Sequence, residues 1–407
     1  MRILLVGITY PPQLNGQAVF TQSLAEGLVE CGHEVVVLTP EDRRAGPHIV
    51  HTGVKLVHTP AWRLPWLHPD LLIPRTILSV VQRAFNDFQP DLVHCQDPSP
   101  LSQVAVQAAR RRRLPVMATH HTGPAVTAPY LRLPQAQAQQ LAEKLTWRGL
   151  IASLNQMDLV TVPSQFSVTM LQAHGLRVPV QAIPCGIALE AFQFDPALDR
   201  QAIRRRFGLT TGNPLLLYVG RLDKEKNVEV LLRGLALLQP ALLTLVLAGR
   251  GAQETEIKHL AGTLGIRDRV HFLGQVEHTD LPALYNAADM FVMPGRFESF
   301  SIATLEAMSC GLPVLAAQAG ALPEWVSPGL NGYLFQPDSP EDVARYMAQL
   351  LADADRWPAM GAASAARAQR FSLDGMALAY QQVYEELYTK PLTHYVARQW
   401  RLLNLIP

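Results

Sequence analysis

The stretch "ADMFVMPGRFESFSIATLEAMSCGLPVLA", Ala288–Ala316, holds a strand, a loop, a helix and the start of a second strand in one reading frame. The apolar run Ala288–Pro294 ends on a proline, as a buried strand leaving its sheet does. "GRFES" has loop composition, and "SIATLEAMSC" has helical spacing that Gly311 and Pro313 stop. "LPVLA" then opens the next strand. A strand, a crossover helix and another strand in so short a span is the repeating unit of a parallel sheet. Two carboxylates punctuate it: Glu298 in the loop and Glu306 about two turns into the helix.

The same alternation runs through the whole chain. "RILLVGI", "HEVVVLT", "DLVHCQ", "PVMATH" and "DLVTVP" predict strands in the first half, separated by helical patterns such as "AVFTQSLAEGLVECG" and "PLSQVAVQAARRRR". After a less regular span near Ile183–Asp199 the pattern restarts with "PLLLYVG", "LTLVLAG", "VHFLG", "DMFVMP" and "LPVLAAQ". The fold class is therefore α/β, with two parallel-sheet units in tandem. A chain of 407 residues, 48% hydrophobic and 17% charged, has enough apolar surface for two cores.

Composition excludes several functions. A net charge of +1 and the lack of an interleaved basic and aromatic motif argue against nucleic acid as a partner. The four cysteines are far apart and form no C-x-x-C pair, so neither a disulfide framework nor a zinc site is expected. The apolar run before Pro11 and Pro12 is too short for a signal-peptide core or a membrane span, and the expected location is the cytoplasm.

In parallel sheets ligands bind beyond the carboxyl ends of the strands, so the loops there carry the candidate site residues. Asn15 and Gly16 open a helix after the first strand, where backbone N–H groups can approach an anion, or they form a plain turn. "LAGRGAQE" offers G-x-G but lacks the rest of a dinucleotide fingerprint. In "YVGRLDKEKN", Arg221 and Lys226 either converge on one anionic group or pair locally with Asp223 and Glu225. The N–H groups near Phe300, Ser301, Ile302 and Ala303 suit phosphate, Glu298 suits ligand hydroxyls, and an inward Glu306 suits a diol such as a ribose.

Taken together, Glu298-x7-Glu306 with "AMSCGLPVLA", the "GRLDKEKN" loop, "PSQFSVTMLQAHG", "AIPCGI" and the "PP...NG" loop resemble the retaining glycosyltransferases of family four. The likeness runs from about Met1 to the helix near Tyr388. It implies the GT-B architecture: two facing Rossmann-like domains, here 1–185 on the acceptor side and 186–375 on the donor side, with the active site in the cleft and 376–407 packing back on the first. It implies sugar transfer from a nucleotide-diphosphate donor, UDP- or GDP-linked, with retention and with neither a metal ion nor another cofactor. The resemblance makes His121, Arg221, Lys226 and Glu298 catalytic, and gives Gly16, Val276, Phe300, Ser301, Ile302, Ala303 and Glu306 to the donor. His121 is preferred to His120 because it aligns with the histidine of the family's "HT" dipeptide. The chain departs from the family pattern at Asn15 and Ser301, where glycines are common, and at Cys185 and Ala188 in "IPCGIA".

The acceptor is a sugar, a glycolipid or a lipid. "TPAWRLPWLHPDLLIPRTI", Thr59–Ile77, carries Trp62, Arg63, Trp66, Leu67 and Arg75, and either lies on a membrane interface or caps the acceptor cleft with its aromatics inward. The run Arg110–Arg113 closes a helix, either as a cap of its dipole or as a surface for phosphate or for anionic lipid at the inner face of the membrane. Two other readings remain: a GT-B relative with phosphorylase or sugar-nucleotide epimerase chemistry, and a non-catalytic nucleotide-sugar binder.

Overall fold

Unbroken apolar runs such as Leu215–Val219 and Val314–Ala317 have no polar face to offer water, so they are stable only with both faces of their sheet covered. The computed structural model describes residues 1–13, 15–41, 53–63, 72–121, 136–209, 212–238 and 243–389. The chain divides into two compact units.

The first comprises Met1–Gly186 and the returning helix Leu373–Thr389. Its strands are β1 (Arg2–Val6), β2 (Glu34–Pro40), β3 (Val54–Thr59), β4 (Ala61–Arg63), β5 (Leu72–Pro74), β6 (Leu92–Cys95), β7 (Val116–Thr119), β8 (Leu159–Val162) and β9 (Val180–Ala182). Seven of them form a parallel sheet in the order β3-β2-β1-β6-β7-β8-β9, and β4 and β5 form a separate hairpin. The second unit, Ile187–Ser372, contains β10 (Leu215–Val219), β11 (Thr244–Ala248), β12 (Val270–Gly274), β13 (Met290–Met293), β14 (Val314–Ala317) and β15 (Gly332–Phe335). Its parallel sheet runs β12-β11-β10-β13-β14-β15. Every strand run read from the sequence is present, and β3, β9, β15 and the hairpin are additional.

Both orders reverse once, between β1 and β6 and between β10 and β13. At such a point the crossover helices leave to opposite faces and open a crevice beyond the strand ends. Each unit has one such switch point.

The returning helix is built into the first unit's core. Tyr380 and Tyr384 are fully buried; Tyr384 Oη lies 2.7 Å from His94 Nδ1, and Tyr380 Oη lies 3.0 Å from Thr119 Oγ1. Thr119 Oγ1 is in turn 2.7 Å from both His94 Nε2 and Thr161 Oγ1, so the buried polar groups satisfy one another. Gly27, in the helix Gly16–Glu30, lets the two helices meet: a Cβ there would stand 2.7 Å from the Ala377 Cβ. Residues 390–407, part of the segment expected to pack back, lie outside the described residues.

Candidate active site

At the β10/β13 switch point the loops after the two strands meet through one ion pair. Lys226 Nζ lies 2.6 Å from Glu298 Oε1, with Glu298 only 6% exposed. The backbone holds Glu298 from below: its carbonyl accepts from Ala321 N at 2.7 Å. Gly320, in the left-handed region at φ 58°, must be bare there, because a Cβ would come within 2.3 Å of that carbonyl oxygen.

Arg221 pairs within its own loop. Its guanidinium binds Asp223 Oδ2 and lies 2.6 Å from Glu225 Oε1. The physical reason is that Asp223 is buried and fixed, its other oxygen accepting from Ala252 N at 2.7 Å, which leaves Oδ2 presented to the arginine. Of the two alternatives read in "GRLDKEKN", local pairing describes Arg221, whereas Lys226 reaches across to the other loop.

Glu306 is 6% exposed, with a hydrogen bond at one oxygen and an ion-pair contact at the other. Tyr285 Oη donates to Oε2 at 2.9 Å, and His278 Nε2 stands 3.8 Å from Oε1. Neither partner was singled out in the sequence; the signal was "VEHTDLPALY", in which His278 and Tyr285 lie on the segment after β12. Val276, half-buried, precedes His278 by two residues on that segment.

The helix Ile302–Ser309 starts immediately after the Glu298 loop. Ser301, its N-cap, has φ 73°, a conformation that costs a residue with a Cβ roughly 1 kcal/mol or more. Its hydroxyl pairs with Thr304 Oγ1 at 2.7 Å and does not cap the first-turn N–H groups. The N–H groups of Ile302 and Ala303 are thus available to an anion, favoured further by the helix dipole. Phe300 faces away, buried against Trp325, whose indole N–H donates to the Phe300 carbonyl at 2.6 Å.

In the first unit, Asn15 caps the helix that Gly16 begins, accepting from Ala18 N at 2.9 Å. Asp97, after β6, ties the β1/β6 switch point together by accepting from Ile8 N at 2.7 Å and Gln17 Nε2 at 3.1 Å. His121 follows β7, with Nε2 3.2 Å from Gln96 Oε1 and the Phe20 ring edge-on at 4.7 Å. Burial, then the neighbouring His120, pushes its imidazole down to about 3; burial pushes His120 down to about 4. Both are neutral at pH 7.

The candidate acceptor features are split. Trp62 is 57% exposed with the Arg75 guanidinium 4.6 Å over its ring, so this aromatic does not pack inward; Trp66 and Leu67 lie outside the described residues. In the arginine run, Arg110 pairs with Asp158 at 2.8 Å and Arg112 binds Asn86 Oδ1 at 2.8 Å, so two of the four brace neighbouring elements. No helix among the described residues is long and apolar enough to cross a membrane.

The chain is similar to known proteins along most of its length. Residues 14–191 match the model of Glycosyltransferase Family 4, and residues 199–367 match Glycosyl transferases group 1. A D-inositol 3-phosphate glycosyltransferase from Nocardiopsis dassonvillei is 30% identical over 359 residues, 83% of this chain and 82% of the relative. A GDP-mannose-dependent alpha-mannosyltransferase from Mycolicibacterium smegmatis is 29% identical over 341 residues, 83% and 85% of the two chains. The solved structure of Anabaena Alr3699/HepE in complex with UDP-glucose is similar at a TM-score of 0.76, covering 95% of this chain and all of that one at 23% identity. Two adjoining matches that between them take in both units, and a relative alike along most of its length, make this chain a member of glycosyltransferase family 4, a hexosyltransferase of GT-B fold.

Proposed function

We propose that the enzyme transfers a hexosyl group from a nucleoside-diphosphate sugar to an acceptor hydroxyl, with retention of anomeric configuration and without a metal ion in the active site. The observation that carries this reading is the Lys226–Glu298 pair at the second switch point, directly before a helix start whose N–H groups no side chain caps. In the reaction the bond from the anomeric carbon to the diphosphate oxygen breaks and its electron pair leaves on the diphosphate. The acceptor oxygen bonds to that carbon and gives up its proton to the departing diphosphate oxygen. The Lys226 ammonium and the N–H groups of Ile302 and Ala303 meet the charge growing on the leaving group, and fixed donors of this kind lower the barrier because they need no reorganisation. Glu298 holds the lysine and accepts from sugar hydroxyls, and Glu306 takes the ribose diol. The mannosyltransferase relative, named for GDP-mannose, supports a GDP-linked donor; a UDP-linked donor fits the same chemistry. Acceptors of the sugar, glycolipid or lipid class fit an enzyme of this family.

Thermal melting of the pure protein with UDP-, GDP- and ADP-sugars tests the donor. One series is expected to raise the melting point strongly, since a ligand at 100 times its dissociation constant adds about 2.7 kcal/mol to the folded state. No shift with any of them would reject the nucleotide-sugar reading. With the active donor, turnover is expected to persist in excess EDTA; activity lost in chelator and restored by magnesium or manganese would return the diphosphate charge to a metal ion.

A further inference from the structure

Glu306, assigned above to the nucleoside ribose, is gripped by two groups of unlike character. Tyr285 is fully buried, wedged between Phe192 and Phe291 with ring centroids 5.9 Å from each, and its hydroxyl is fixed on Oε2. His278 is 67% exposed at the side chain and rests edge-on against Phe192, with centroids 5.4 Å apart, so its ring stands between solvent and Oε1. The other ionisable groups around it are accounted for. Glu277 and Asp280 are on its own turn, and Asp280 is 2.6 Å from Arg206. On the facing helices are Glu306 itself, Tyr285 and the buried Cys310. The Glu306 carboxylate, 3.8 Å away, raises the His278 pKa against the burial that lowers it.

We propose that His278 is a positioning residue for the nucleoside end of the donor: Tyr285 fixes Oε2 by a hydrogen bond, and the imidazole, in ion-pair range of Oε1, holds the Glu306 carboxylate turned toward the vicinal hydroxyls of a ribose. A carboxylate oxygen accepts about two hydrogen bonds. Tyr285 donates to Oε2, and the imidazole in ion-pair range of Oε1 holds that oxygen beside it, so the two oxygens stay side by side with acceptor directions open, which is the geometry a vicinal diol needs. Without His278, Oε1 turns and hydrates freely, and the pair is lost. The proposal rests on the ribose role given to Glu306, so its test separates the two.

The probes are UDP and GDP, the tighter being used with its 2′,3′-dideoxy analogue, which lacks the diol. His278→Ala is expected to weaken the ribonucleotide about five- to tenfold, the scale of one lost polar contact, and to leave the dideoxy analogue nearly unchanged. In turnover the loss appears in the donor KM rather than in kcat, and His278→Gln, which restores a neutral donor, recovers part of it. Because the folded pKa is raised, the wild-type advantage in donor KM over His278→Ala is greatest at low pH and shrinks as pH rises through that pKa. Equal loss for both probes, or no loss, overturns the proposal. Glu306→Gln runs beside it: ribonucleotide affinity unchanged there removes the ribose assignment itself, whereas weakening there without weakening in His278→Ala removes only the role of His278.

Discussion

Replacing Lys226 by alanine is expected to lower kcat by about two to three orders of magnitude, the effect of removing one preorganised donor from a developing anion. Two consequences of the substitution must be told apart. The Lys226 Nζ–Glu298 Oε1 contact at 2.6 Å is largely buried, so its loss also strands a carboxylate away from water. Breaking a buried pair from one side costs about 3–5 kcal/mol at full burial, and less here because the lysine remains 21% exposed. The melting temperature reports that loss, and kcat measured well below the melt reports the chemistry. Lys226→Arg keeps the charge and is expected to retain far more turnover than the alanine variant. A folded Lys226→Ala enzyme with wild-type kcat would remove the lysine from the diphosphate site. Arg221→Ala is expected to have the smaller effect, since its guanidinium is already held by Asp223 and Glu225.

Acid is expected to unfold the first unit well above the pH at which carboxylates protonate. His94, fully buried and pushed down to about 3, His120, pushed down to about 4, and His121, pushed down to about 3, are neutral in the folded state. In the unfolded chain each takes a proton near pH 6.5. Folded values below unfolded ones mean that the unfolded state binds more protons, so stability is full above about pH 7 and falls progressively from there toward pH 4. At pH 5 His94 and His120 each cost about 2 kcal/mol by this linkage, and the partly exposed His121 costs less. A loss of that size is a large part of the stability of an ordinary domain, about 5–15 kcal/mol. Urea unfolding at pH 8, 7, 6 and 5, followed by the signal of the first unit, measures the slope. His120 Nε2 has no hydrogen-bond partner among the described residues, so His120→Phe should flatten the slope by about one proton without destabilising the protein at pH 7. A stability independent of pH between 7 and 5 would mean that these imidazoles accept protons without disturbing the fold.

The central strands were legible because burial on both faces writes them as unbroken apolar runs. β9 is half-exposed throughout and β15 follows the turn-rich "SPGLNG", so neither carries that signal, and both are edge strands. Glu298 and Lys226 were legible for a topological reason: each lies just past a strand, and the two strands are neighbours where the order reverses. Arg221 was legible only as two alternatives, because the choice between them depends on where Ala252 N, in another loop, fixes Asp223. His278 and Tyr285 reach Glu306 from the segment beyond β12, a contact no local pattern encodes. The strain at Ser301 is likewise invisible in composition, and only the expectation of a glycine there pointed to it.

The returning helix also sets an order of assembly. His94 waits for Tyr384, 290 residues later in the chain, and Thr119 waits for Tyr380, 261 residues later. On the ribosome the first sheet therefore emerges early but keeps open polar groups and an unfilled groove at Gly27 until almost the whole chain has been made. The second unit, continuous from Ile187 to Ser372, has every residue it needs before that helix exists. The half synthesised first is thus the half finished last, against the usual vectorial order of domain folding.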